Sequence, residues 1–283
     1  MTHAPTHWAG LSLDRPLVMG ILNVTPDSFS DGGRHAASDA AIAAGRDMLA
    51  AGVDIIDIGG ESTRPNAMPV ASEQEIARVQ PVIAALAQEG AIISADTRHA
   101  ATMEAALKAG ARIINDVSGL KHDPRAAALV AQAACPVVLM HMRGTPQTMN
   151  CQAHYANLIE DVLAELTATR DAALRAGIRA DNIALDPGLG FAKLGPQNIL
   201  VLRATRRFVA LGHPVLIGLS RKKFIGELGG EADAQKRFPG SLAAGIYALS
   251  HGAQMLRVHD VAETVQALRV WERLVAVGDD PDP

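Results

Sequence analysis

Acidic and amide side chains stand where apolar runs end in this sequence. Asp96 lies in ISADT, Asn115 and Asp116 in IINDV, and Asp186 in ALDPG. A carboxylate at such a place is costly unless it is paired. Taken singly, each fits a helix N-cap, and Asp54 and Asp57 in a neighbouring run fit the same structural role. Taken together, they suit a heterocycle rich in N–H donors, because a carboxylate accepts two parallel N–H bonds from an amidine-like edge. A second chemistry, anion binding, is carried by Thr63-Arg64 in GGESTRP and by Arg257 and His259 in RVHDV. The arginine fork matches phosphate or carboxylate. Alone, Arg64 reads as a solvated surface arginine. Arg257 and His259 are two apart, so a strand points them to one side. Lys222 follows an apolar run in GLSRKK. It lies past its strand, which favours hydrogen bonding over a Schiff base.

These residues need a frame that brings strand ends together. Eight short apolar runs recur: Leu17–Val24, Val53–Gly59, Ala91–Asp96, Arg112–Val117, Pro136–Met142, Ile183–Pro187, Pro214–Ser220 and Gln254–His259. Near-continuous apolarity predicts strands buried on both faces. The intervals carry helix signals. Ser72-Glu73-Gln74-Glu75 reads as a capping box, followed by Ile76, Val79, Ile83 and Leu86 at helical spacing and a stop at Gly90. Asn157–Ala176 predicts a long amphipathic helix stopped by Gly177, Pro196 begins another, and Val261–Val275 makes a last one. Gly229–Pro239 reads as a polar surface excursion. Eight alternating βα units predict a single-domain (β/α)8 barrel. An open doubly wound sheet is the competing fold. The spread of polar residues over nearly every strand end suits a ring better than one crevice.

Composition agrees with a barrel and narrows the function. The 283 residues are 48% hydrophobic but only 3% aromatic, so the core is aliphatic. The net charge of -4 and the lack of a basic stripe argue against a nucleic-acid partner. Cys135 and Cys151 make no disulfide framework and no metal-site spacing, which fits a reducing cytoplasm. Cys135 opens an apolar run and is expected in the core. No signal-peptide pattern opens MTHAPTHWAG, and no run is long enough to span a membrane. HExxH, paired CxxC, acidic metal cages and GxSxG are absent, which removes dedicated zinc or calcium sites and a hydrolase elbow. Mg2+ brought by a diphosphate remains plausible, and the amide oxygen of Asn23 is the best candidate ligand. The long loop from Asn23 to Gly33 reads as a cover over a ligand, with Phe29 as its apolar contact.

At these residues the chain resembles the dihydropteroate synthase family of folate biosynthesis. The matching segments are MGILNVTPDSFSDGG at 19–33, GGESTRP at 59–65, NDVSG at 115–119, MHMRGTPQTM at 140–149, DPGLGFAK at 186–193, GLSRK at 218–222 and RVHDV at 257–261. They run in family order over almost the whole chain, and the first is highly specific. The resemblance implies a (β/α)8 homodimer that joins 6-hydroxymethyl-7,8-dihydropterin diphosphate to 4-aminobenzoate and releases diphosphate. It implies that Asp96, Asn115, Asp186 and Lys222 hold the pterin, with Met140 lining its pocket and Arg257 packing over its ring. Asn23 would bind Mg2+. Thr63, Arg64, Arg257 and His259 would contact the diphosphate. Phe29, Thr63, Pro65, Phe191 and the Lys222-Lys223 region would shape the aminobenzoate site, where sulfonamides compete.

Some positions depart from the family pattern. Leu189 replaces a frequent phenylalanine, Ala192 and Asn66 replace glycines, and Lys223 replaces a serine. Lys223 offers no hydroxyl to the aminobenzoate carboxylate, and a backbone N–H or the added cation would replace that contact. A related barrel that moves a methyl group from folate to a corrinoid would share the strand-end Asp and Asn residues. It would not need the anion sites of Thr63-Arg64 and Arg257-His259. A pterin-binding homologue without turnover would not need Asn23, Arg64, Lys222 and His259 together.

Overall fold

In the computed structural model, which describes residues 5–25, 33–64 and 67–276, all eight apolar runs form parallel strands. A short hairpin precedes them, β1 (His7–Trp8) with β2 (Leu11–Ser12). The barrel strands are β3 (Leu17–Asn23), β4 (Ile55–Gly59), β5 (Ile93–Asp96), β6 (Ile113–Asp116), β7 (Val137–Met140), β8 (Ile183–Asp186), β9 (Leu216–Gly218) and β10 (Met255–Val258). Their order, β8-β7-β6-β5-β4-β3-β10-β9, closes through one bridge, Leu185 beside Val215. The ring expected from the sequence is therefore present, and the open sheet is excluded.

Helices follow the strands. They are α1 (Gly33–Ala51), α2 (Ser72–Gln88), α3 (Ala100–Ala109), α4 (Ala126–Ala133), α5 (Leu158–Arg175), α6 (Pro196–Arg203), α7 (Thr205–Val209), α8 (Lys223–Gly229), α9 (Phe238–Ser250) and α10 (Val261–Ala276). Proline 196 begins α6, as expected where its missing N–H costs nothing. The capping box is a correction. Ser72 lies inside α2, the cap is Ala71, and neither Ser72 nor Glu75 caps the helix. Glu75 instead turns inward and accepts hydrogen bonds from Thr97 (2.9 Å) and Thr102 (2.6 Å). The segment expected as a polar excursion is partly helical, with a 3-10 turn at Ala234–Lys236 and the start of α9.

Strand alternation divides the interior into layers. One set of strand residues, including Ile56, Ile58, Ile93, Ile114, Val137, Leu139, Ile183, Leu185 and Ile217, packs against the helices. The other set faces inward. Its lower members, Leu17, Met19, Ile55, Ile113, Val138, Ala184, Leu216 and Met255, form a separate apolar floor with Trp8 of the hairpin. The Trp8 indole donates to the Asn182 carbonyl at 3.1 Å, so its one polar atom is satisfied beneath the barrel. Two residues further along several strands, the inward positions become polar: Asp57, Asn115, Asp186 and Arg257. The site is thus the layer above a dry floor.

Candidate active site

The polar layer is a network of paired charges. Arg257 of β10 donates from Nε to Asp57 at 2.6 Å and from a terminal nitrogen to Asp96 at 2.7 Å. Asn115 donates its amide to the same Asp57 oxygen at 3.0 Å. Asp57 is fully buried and its other oxygen has no protein partner. This overturns its expected role as a helix cap: it is the anchor beneath Asn115 and Arg257. Asp54, three residues earlier, does take a structural role, accepting the Val18 N–H at 2.8 Å. Asp116 likewise accepts the N–H groups of Ser118 (2.7 Å) and Leu120 (3.0 Å) and shapes the turn after β6.

Burial sets the protonation of this layer. It raises the Asp96 carboxyl to about 7, with Arg257 opposing and Asp57 adding to the rise. The Asp186 carboxyl is also raised by burial, against the attraction of Lys222. Asp186 accepts the Gly188 N–H at 2.7 Å, which starts the loop after β8. Lys222, at the N-terminus of α8, reaches back to donate to the Leu189 carbonyl, and its ammonium lies 4.7 Å from the centroid of the Phe191 ring. Burial lowers its pKa to about 8. Met140 ends β7 and packs with Val117, Met142, Met149 and Ala192 beside Phe191. So Asp96, Asn115, Met140, Asp186, Phe191, Lys222 and Arg257 belong to one end of one barrel.

The anion-binding candidates lie at the rim. Asn23 ends β3 beside Gly59 and is half-buried. Thr63 is half-buried and Arg64 exposed on the loop after β4. His259 follows β10, and Ser220 Oγ accepts its backbone N–H (3.1 Å) while lying 3.0 Å from Nδ1. A serine hydroxyl can accept one bond and donate the other, leaving the proton on His259 Nε2. Burial, with Arg257 and Arg221 nearby, lowers the His259 pKa to about 4, so the ring is neutral at pH 7. Arg257 does not point to the rim with His259 but lies across the two carboxylates. The Lys223 side chain is 88% exposed and pairs with Glu227 at 3.3 Å at the start of α8. Phe29, Pro65 and Asn66 lie outside the described residues.

Residues the sequence reading passed over hold the loops. Glu61 pairs with Arg98 (2.9 Å) and accepts the Val70 N–H (2.9 Å), closing the neck of the loop that carries Thr63 and Arg64. Lys193 is buried under the loop after β8. That loop turns tightly: a Cβ on Gly188 would fall 2.0 Å from the His141 carbonyl oxygen. Ala192, where a glycine is frequent in the family, takes φ 49, a conformation glycine would adopt without strain. Within GGESTRP and DPGLGFAK, Glu61 and Lys193 were visible as charged residues among apolar and glycine neighbours.

A barrel with a layer of buried carboxylates and an amide above an apolar floor belongs to a known class. Residues 19–259 match the family described as pterin binding enzyme, and the chain belongs to that family. Relatives that it matches include dihydropteroate synthases. It is 46% identical to that of Neisseria meningitidis serogroup B, over 93% of this chain and 94% of that one. The Xanthomonas albilineans enzyme solved with 4-aminobenzoic acid has a TM-score of 0.89 at 48% identity, covering 95% of this chain and 97% of that one. The Yersinia pestis enzyme solved as a sulfonamide drug complex has a TM-score of 0.88 at 42% identity, covering 94% and 96%. The chain is a transferase of this dihydropteroate synthase group.

Proposed function

We propose that this chain joins 6-hydroxymethyl-7,8-dihydropterin diphosphate to 4-aminobenzoate and releases diphosphate. The observation that carries this reading is the inward layer of Asp96, Asn115 and Asp186 above an apolar floor, with Lys222 reaching towards it. Asp96 and Asp186 accept N–H groups of the pterin, Asn115 supplies an amide, Lys222 donates to a ring acceptor and Met140 lines the pocket. Arg257 exchanges its carboxylate partners for the ring face as the pterin enters, and its guanidinium also reaches the diphosphate. Thr63, Arg64 and the Nε2–H of His259 bind the diphosphate.

The reaction needs no enzyme nucleophile. The C–O bond breaks first and diphosphate departs with the electron pair. The electron-rich pterin stabilises the methylene cation, and the carboxylates around it favour positive charge. The aniline nitrogen then forms the C–N bond and loses a proton. Phe191, Thr63 and the backbone at Lys222 and Lys223 orient the 4-aminobenzoate, together with Phe29 and Pro65, and loop closure keeps water from the cation. Mg2+ fits this site on its donor chemistry: Asn23 offers one amide oxygen, and a diphosphate can bring an ion that keeps most of its waters. Among the described residues no cluster of three or more His, Cys, Asp or Glu is present to hold a metal alone. When bound, Mg2+ neutralises charge on the departing diphosphate.

We also propose a homodimer of a cytoplasmic protein. The free cysteines, Cys135 and Cys151, fit a reducing compartment. The dimer reading is supported by Val270 and Leu274, 58% and 71% exposed and four residues apart on one face of α10. The decisive experiment supplies the purified protein with both substrates and Mg2+ and measures diphosphate and dihydropteroate. Both are expected only when 4-aminobenzoate is present. Absence of diphosphate release refutes the reading. Asp186→Asn is expected to weaken pterin binding about 10- to 100-fold by calorimetry, because an acceptor becomes a donor.

A further inference from the structure

Lys193 is 2% exposed, yet it ends in an ammonium. An ammonium in such a place needs full hydrogen bonding. Its three donors meet three acceptors: the Gly188 carbonyl (3.0 Å), the Phe191 carbonyl (3.0 Å) and His141 Nδ1 (2.8 Å). Burial lowers the Lys193 pKa to about 7, with the nearby Asp186 carboxylate opposing the fall. With Nδ1 accepting, His141 carries its proton on Nε2 and donates to Glu165 at 3.0 Å. Glu165 accepts from Arg143 Nε at 2.9 Å, and Arg143 lies 4.0 Å over the Tyr155 ring. The Tyr155 hydroxyl then donates to the Ala192 carbonyl at 2.8 Å. The chain of contacts begins at Lys193 and returns to the residue before it.

Other side chains hold further peptide groups of this loop. Asn198 accepts the Gly190 N–H (2.6 Å) and donates to the Lys193 carbonyl (3.0 Å). A further carbonyl, that of Leu189, accepts from Lys222. Two features of the loop face the reaction side: that carbonyl, and the half-buried Phe191 ring beneath the Lys222 ammonium. An apolar plug could hold a loop for stability alone. A point charge that gathers two carbonyls and an imidazole fixes main-chain position as well.

We infer that Lys193 is a positioning residue for the second substrate: it fixes the 187–193 loop so that the Leu189 carbonyl and the Phe191 ring receive Lys222 and 4-aminobenzoate. The inference rests on the aminobenzoate reading of Phe191 above. Lys193 touches no reacting atom and acts through the loop.

The test is a split between substrates. Lys193→Met keeps the stem and removes the donors. It is expected to raise the KM for 4-aminobenzoate about tenfold or more and to lower calorimetric affinity for 6-hydroxymethylpterin by a clearly smaller factor, because Lys222 and Asp186 also touch this loop. An equal or larger loss of pterin affinity overturns the inference. Lys193→Arg is expected not to restore the KM, because a planar fork cannot converge on the same three acceptors. Full rescue by arginine overturns the inference in favour of simple charge balance. Phe191→Ala tests the underlying site separately. If Phe191→Ala raises the aminobenzoate KM and Lys193→Met does not, the positioning role falls and the site reading stands. If neither variant raises it, both fall. Should Lys193→Met not fold, Asn198→Ala loosens the same loop by neutral means. Its aminobenzoate KM is then expected to rise about threefold or more, and an unchanged value overturns the inference.

Discussion

Asp96 and Lys222 bracket neutral pH from opposite sides. Burial raises the Asp96 carboxyl to about 7, so its acceptor form gains population as pH rises through that value. Burial lowers the Lys222 ammonium to about 8, so its donor form is lost as pH rises further. His259 is already neutral above about 4 and adds no limb in this range. The kcat/KM for the pterin diphosphate is therefore expected to trace a narrow bell, with an acid limb that belongs to Asp96 and an alkaline limb that belongs to Lys222. Asp96→Asn should remove the acid limb, and Lys222→Arg should move the alkaline limb out of range at some cost in rate. A profile that is flat between about pH 6 and pH 9 argues against these roles.

The loops are held by buried charges at their bases. Glu61 joins both ends of the 61–70 segment and pairs with Arg98, and both side chains are less than a tenth exposed. Glu61→Ala strands the Arg98 cation, which is expected to cost about 3–5 kcal/mol in urea unfolding. The same variant should raise the KM for the pterin diphosphate, because Thr63 and Arg64 lose their fixed neck. A folded variant with unchanged KM would mean that the loop is positioned by other contacts. How well these elements could be read in advance followed the range of the forces involved. Apolar runs located all eight strands, because burial on both faces leaves a local trace. The strand-end residues were equally visible. The distinction between Asp54 and Asp57 was not, although period-two alternation from Ile55 aims Asp57 inward. Lys193 escaped because its main partner, His141, is 52 positions away. The capping-box pattern failed for a similar reason: Thr97 and Thr102, far along the chain, captured Glu75.

At the scale of the molecule, the exposed apolar face of α10 bears on assembly. Leu274→Glu is expected to shift a dimer towards monomer in analytical ultracentrifugation without loss of secondary structure. A dimer that persists locates the interface elsewhere. The circumference of the barrel has its own asymmetry. Neighbouring strands share runs of paired residues, except between β8 and β9, where the Leu185–Val215 bridge and the bond from Leu185 N–H to the Pro214 carbonyl (2.8 Å) close the ring. Asp186 ends β8 and Lys222 follows β9, so the two groups that attract each other straddle this seam. A ligand gripping both acts as a clasp on a hoop. Part of its binding free energy then goes into stiffening the scaffold, and amide deuterium exchange should slow at Leu185 and nearby Leu216 when the clasp is fastened.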